Sequence, residues 1–94
     1  GYPSVTPPER LYHGTGEQNL RSIKARGLQR RKRHHVHLSA TEAAAQAVGR
    51  RRGSSVVLLI DAARMSAAGH SFFLSANGVW LTEHVPAEFI VFPG

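Results

Sequence analysis

The 94-residue sequence predicts a small α+β domain, and three observations carry that reading. Strand-like and helix-like stretches alternate along the chain. The run SVVLLID at 55–61 is continuously apolar and rich in β-branched residues, as a central strand buried on both faces would be. SFFLS, then NG, then VWLT at 71–82 is a hairpin signal, because Asn-Gly supplies the positive φ angles of a tight turn. A chain of this length with 41% hydrophobic residues supports one core and leaves no room for a second domain.

In order, PSVTPP at 3–8 is proline-rich and reads as an extended linker, so residues 1–8 are set apart from a domain at 9–94. LYHGT at 11–15 is the first strand. In NLRSIKARGL, Leu20 and Ile23 have amphipathic-helix spacing and Gly27 is the stop. VHLS at 36–39 is a short strand, TEAAAQAVG an alanine-rich helix ending near Gly49, and EFIVF at 88–92 the strand that closes the sheet. The total is five or six strands and two main helices.

Composition narrows the function. Cysteine is absent, which removes disulfides, thiolate nucleophiles and cysteine-based zinc sites. No apolar run approaches the ~20 residues of a membrane span, and GYPSVTPPER lacks the charge and apolar stretch of a signal peptide. The expectation is a cytoplasmic monomer. Twelve Lys plus Arg against six Asp plus Glu leave a formal charge of +6. Arg21, Lys24, Arg26, Arg30, Arg31, Lys32 and Arg33 crowd one window, and Arg50, Arg51 and Arg52 form a second cluster. Such clustering suits an anionic partner, nucleic acid or a phosphorylated small molecule, because arginine grips phosphate oxygens bidentately. A solvated basic face is the plainer alternative.

Two strand ends share one pattern. His13-Gly14-Thr15 is followed by Gln18, and His37-Leu38-Ser39 by Glu42, so each strand ends in His-x-(Thr/Ser) ahead of a capping-box spacing. A strand end meeting a helix N-terminus offers free N–H groups to a phosphate-bearing ligand, and Gly14 would admit it close to the backbone. Alternatively, Thr15 and Ser39 only cap their helices. In HHVHL, alternation puts His35 and His37 on one face and Val36 and Leu38 on the other. A metal site would need more converging ligands than this pair, so none is expected. No G-x-S-x-G elbow or paired carboxylates are present, which leaves histidine as the candidate general base.

LYHGT, then RHHVHLS, then GRRRG before an apolar strand, then SANGVWLTEHVP, closely resembles the C-terminal lobe of the RNA 2′-phosphotransferases from about residue 9 to residue 92. LYHGT is shared with the wider ADP-ribosyltransferase superfamily, whereas the four blocks in order are specific. The resemblance implies an ADP-ribosyltransferase fold, a split pair of small sheets around a cleft for NAD as co-substrate. It implies that His13 holds a ribose hydroxyl, that the Gly14 backbone binds the nicotinamide amide, and that Thr15 and Ser39 lie beside the dinucleotide. His37 fills the second histidine position, Arg33 is the catalytic arginine and Arg51 lies near the pyrophosphate. Asn77, Gly78 and Val79 occupy the segment where many ADP-ribosyltransferases place a catalytic glutamate. Without that carboxylate the nucleophile should already be anionic, as the 2′-phosphate of an RNA in tRNA splicing or RNA repair is. Arg30, Arg31, Lys32 and Arg33 would hold that RNA. His34 and His35 are expected at the rim or in the sheet. The enzymes resembled also carry an N-terminal lobe with an Arg-His pair and a further arginine, which residues 1–10 do not supply. Two other functions fit the residues: an ADP-ribosyltransferase of another nucleic-acid or phosphate acceptor, toxin-like, and a non-enzymatic basic RNA-binding module.

Overall fold

The computed structural model describes residues 3–51 and 53–94. Among these residues, eight short strands form three antiparallel sheets, with three helices and two 3-10 turns between them. The first sheet has the order β1-β4-β8, from β1 (Arg10–Gly16), β4 (Ser55–Asp61) and β8 (Ile90–Val91). The second pairs β2 (Leu28–Gln29) with β7 (His84–Val85), and the third has the order β3-β6-β5, from β3 (Val36–Leu38), β5 (Phe72–Leu74) and β6 (Trp80–Thr82). Helix α1 (Leu20–Arg26) lies between β1 and β2 in sequence, α2 (Glu42–Arg50) between β3 and β4, and α3 (Ala62–Ala67) between β4 and β5.

The α+β class holds, with more and shorter elements than the sequence pattern implies. Two-residue strands have no period of their own and exist only through their partners, as Leu28 opposite Val85 shows. Helix α3 starts at Asp61, whose side chain accepts a hydrogen bond from the Arg64 N–H, an N-cap at the end of the central strand. Only 90–91 of the expected 88–92 strand is extended, because 87–89 form a 3-10 turn. Strand β4 is central, yet Leu58 and Ile60 are fully buried while Val56, Val57 and Leu59 are half-buried, so one face is covered more than the other. The hairpin loop also differs from a two-residue turn. Gly78 takes positive φ (83°) and Asn77 does not, with Ser75 and Val79 bonded backbone to backbone at 2.9 Å, which makes a three-residue loop closed by a left-handed glycine. Residues 3–8 are not wholly detached: the Val5 N–H donates to the Phe72 carbonyl at 2.8 Å.

The core unites the sheets. Leu11, Leu58 and Ile60 from the first pack in one cluster with Val36, Leu38, Phe72 and Trp80 from the third and Ile23, Met65 and Phe89 between them. Apolar burial of this kind, at roughly 25 cal/mol per Å², is the main stabilising term. A backbone bridge also ties the first sheet to the third: Tyr12 and Ser39 exchange both N–H to C=O bonds, at 2.9 and 2.8 Å. That bridge sets the middle of β1 beside the C-terminal end of β3, so His13 lies within a strand that runs on to Gly16 and not at its last residues.

Candidate functional site

The Tyr12–Ser39 bridge brings the two His-x-(Thr/Ser) strand ends into one place. One residue along, His13 Nδ1 donates to the His37 carbonyl at 3.1 Å. An open cleft of about 930 Å³ runs over this junction, and its lining includes His13, Gly14, Thr15, His37, Ser39 and Arg51. Arg30, Arg31, Lys32 and Arg33 also line it, and no carboxylate does among the described residues. Arg52 lies outside the described residues.

The helix caps differ from the sequence pattern. Thr41, not Ser39, is the N-cap of α2, its Oγ1 accepting from the Ala44 N–H at 3.2 Å. Thr15 stays in β1, and its Oγ1 accepts from Asn19 Nδ2 at 3.1 Å instead of capping a helix. Both residues therefore belong to the cleft without serving as caps. Packing gives Gly14 a reason for being glycine that is independent of any ligand. A Cβ there would sit 1.8 Å from the Ala45 carbonyl oxygen, so β1 and α2 pack backbone against backbone behind the cleft.

Arg33 and His37 form the polar wall. Residues 30–33 make a turn in which the Arg33 N–H donates to the Arg30 carbonyl at 3.0 Å, while Arg30 Nη1 donates to the Arg33 carbonyl at 3.1 Å. Arg31 has a positive φ of 53°, a conformation that costs a side-chain-bearing residue about 1–2 kcal/mol. From this turn Arg33 Nη1 donates to His37 Nδ1 at 3.1 Å. A guanidinium has no acceptor, so Nδ1 carries a lone pair and the imidazole proton is on Nε2. His37 is exposed at the surface, yet partial desolvation of its ring lowers its pKa from the ordinary 6.5, and the charge of Arg33 and then that of His35 lower it further. His37 is therefore neutral at pH 7.

A second hollow, of about 720 Å³, adjoins the first. Arg33, His35, His37 and Val79 line both, while His34, Phe73, Ser75, Asn77 and Leu81 line only the second. Of the expected trio at 77–79, Val79 thus borders both spaces, Asn77 only the second, and Gly78 neither. His35 is half-buried against Phe73, with ring centroids 5.4 Å apart, which makes it a sheet residue that also borders both spaces. The sequence pattern overlooks Gln18, Asn19 and Gln29 in the first cleft, although Gln18 and Asn19 follow directly on the first strand end. No group of three His, Cys, Asp or Glu residues is placed to hold a metal ion among the described residues.

A carboxylate-free cleft between small sheets, rimmed by arginines, has the chemistry of a phosphate-handling protein. The chain belongs to the RNA 2′-phosphotransferase, Tpt1 / KptA family, whose family model matches residues 3–84. It is 57% identical over 89 residues to a probable RNA 2′-phosphotransferase of Burkholderia lata, covering 95% of this chain and 46% of that protein. It is 54% identical over 91 residues to one of Streptomyces coelicolor, covering 97% and 50%, and 57% identical over 89 residues to one of Pseudomonas aeruginosa, covering 95% and 49%. The chain thus spans about half the length of these curated relatives.

Proposed function

We propose that this chain is the NAD-binding, ADP-ribosyltransferase-like lobe of an enzyme that transfers an internal RNA 2′-phosphate to NAD. The products are 2′-hydroxyl RNA, nicotinamide and ADP-ribose 1″,2″-cyclic phosphate. The observation that carries the reading is the junction at His37, where the two strand ends and Arg33 meet in a cleft without a carboxylate.

The residues suit a dinucleotide. The cleft has the size of small-ligand sites, within ~300–1,000 Å³. His13 would hold a ribose hydroxyl, the Gly14 backbone the nicotinamide amide, and Thr15 and Ser39 the flanks of the dinucleotide, with Arg51 on the pyrophosphate. The segment of Asn77, Gly78 and Val79 would stand near the reacting ribose, where Val79 offers no base. With no carboxylate to deprotonate a neutral acceptor, the acceptor itself must carry the charge. In the first step an oxygen of the 2′-phosphate attacks C1″ of the nicotinamide ribose, and the C–N bond breaks with its electron pair leaving on nicotinamide. The 2″-hydroxyl then attacks phosphorus, the bond from phosphorus to the RNA 2′-oxygen breaks, and that oxygen gains a proton. Arg33 would balance charge on the phosphate, and the Nε2–H of neutral His37 would donate a hydrogen bond at the reacting ribose. Arg30, Arg31 and Lys32 would attract the RNA backbone. A further lobe of the parent protein, with its own Arg-His pair, would complete the phosphate site. The physiological setting is tRNA splicing or RNA repair in the cytoplasm, with the protein a monomer.

The test is single-turnover removal of a 2′-phosphate from an oligoribonucleotide by the whole protein, with and without NAD. Release should require NAD. Arg33→Ala should lose roughly 3–4 kcal/mol of transition-state stabilisation, about a hundred- to a thousand-fold in rate, by analogy with loss of an oxyanion donor. Arg33→Lys should rescue poorly because the planar fork is lost. Arg30→Ala and Arg31→Ala should have smaller, salt-dependent effects. Equal small losses for all three would reduce the cluster to a steering patch.

A further inference from the structure

The second hollow is one face of the β3-β6-β5 sheet. His37 pairs with Leu81 and Leu81 with Phe73, so the three side chains form one cross-strand row. His35 on one side of that row and Val79 and Ser75 on the other, all just outside the strands, continue the lining, with Arg33 and Asn77 in the flanking loops. Nearly every lining residue therefore has an odd number, and the even-numbered Val36, Leu38, Phe72, Trp80 and Thr82 face the core. Strands of a sheet with one solvated face ordinarily alternate apolar-in with polar-out. Here the hollow on the outer face is instead lined by Phe73, Leu81 and Val79, with the His35 ring set against Phe73, and no carboxylate lines it among the described residues.

We propose that this hollow takes a nucleobase of the acceptor RNA at the 2′-phosphate junction, stacked on the Phe73–His35 ring pair. The inference rests on the proposed RNA 2′-phosphate reading and deepens it by assigning a base subsite. Position and charge select the occupant. Arg33 and His37 stand in both spaces, so a phosphate gripped by Arg33 has its own nucleoside beside the hollow, and Arg30, Arg31 and Lys32 in the adjoining cleft draw in a polyanion. Every base has a π face, and aromatic platforms of this kind bind bases with little regard to sequence. At the hairpin end Asn77 accepts through Oδ1 from Ser75 Oγ, and Nδ2 has no protein acceptor among the described residues. Two N–H donors are thus available to a base edge.

The test uses the whole protein, without NAD, and 2′-phosphorylated oligoribonucleotides with 2-aminopurine at the phosphate-bearing nucleotide or at either neighbour. At one position or more the fluorescence should be quenched on binding. Phe73→Ala should abolish that quench and weaken binding about 5- to 150-fold, the range for loss of one base–aromatic stack. Phe73→Tyr should keep both, which separates stacking from a folding defect. An abasic nucleotide at the same position should weaken wild-type binding by a similar factor and leave Phe73→Ala with no further loss. Equal losses for Phe73→Ala on intact and abasic RNA would overturn the proposal. So would a quench indifferent to Phe73, as expected if another lobe covers the sheet, or one displaced by free nicotinamide. Because the readout needs no turnover, failure of NAD-dependent phosphate release would be seen separately, in the activity assay.

Discussion

Gly14 and Arg33 line the same cleft and are held there by different means. Gly14 is buried in a seven-residue strand, wedged against α2 so closely that a methyl group would overlap the Ala45 carbonyl. Arg33 is exposed in a turn whose neighbour, Arg31, has positive φ; its backbone is held by the hydrogen bonds with Arg30, and its guanidinium by one hydrogen bond to His37. One wall is fixed by packing and the other by polar contacts that solvent can replace. Damage to the first should therefore be read in stability, and damage to the second in chemistry, since exposed polar contacts contribute little to folding.

Gly14→Ala should give the largest stability loss, about 3 kcal/mol or more in urea unfolding, because overpacking against backbone has no flexible side chain to yield. Arg33→Ala should stay within about 0.5 kcal/mol in the same assay, as a surface substitution does. A comparable loss for both would erase the distinction between the walls. Arg31→Gly sharpens it in the other direction. Relief of about 1–2 kcal/mol of left-handed strain, less the ~0.5–1 kcal/mol that glycine loses in chain entropy, should leave a net gain of about 0–1.5 kcal/mol. A loss on that substitution would mean that Arg31 makes a compensating contact.

The smallest effect is electrostatic. The folded His37 pKa lies below 6.5, with burial its first cause and Arg33 its second. The unfolded chain therefore takes up the proton more readily, and the stability tied to neutral His37 is present above about pH 6.5 and lost as pH falls toward the folded pKa. Imidazole ¹⁵N shifts should show an Nε2–H tautomer titrating below 6.5. In Arg33→Ala the midpoint should rise without reaching the ordinary value, because the burial remains. A midpoint at or above 6.5 in the unaltered chain would contradict the Arg33 Nη1 to His37 Nδ1 bond.

The sequence reveals the two histidine strand ends because their shared pattern and the alternation in HHVHL are local, and Val36 and Leu38 are indeed buried on the far face from His37. The features it hides are tertiary. β2 and β7 have two residues each, and α3 has six, too few to show a period. Thr41 and Ser39 are equally plausible caps by residue type, and only the geometry selects Thr41. Phe73, Val79 and Leu81 belong to a hairpin pattern that does not by itself say which face they take. The alternation used for His35 and His37, carried through the paired strands, is the signal that places them on the outer face.

The central claim is that the C-terminal half of β1 and the end of β3 form one cleft for NAD. Titrating the chain with NAD, followed by backbone amide NMR, tests it most directly. The account predicts shifts at residues 13–16 and 37–39 together, at one common affinity. Shifts confined to 21–33, with both strand ends silent, would contradict it and leave a basic surface that binds any polyanion.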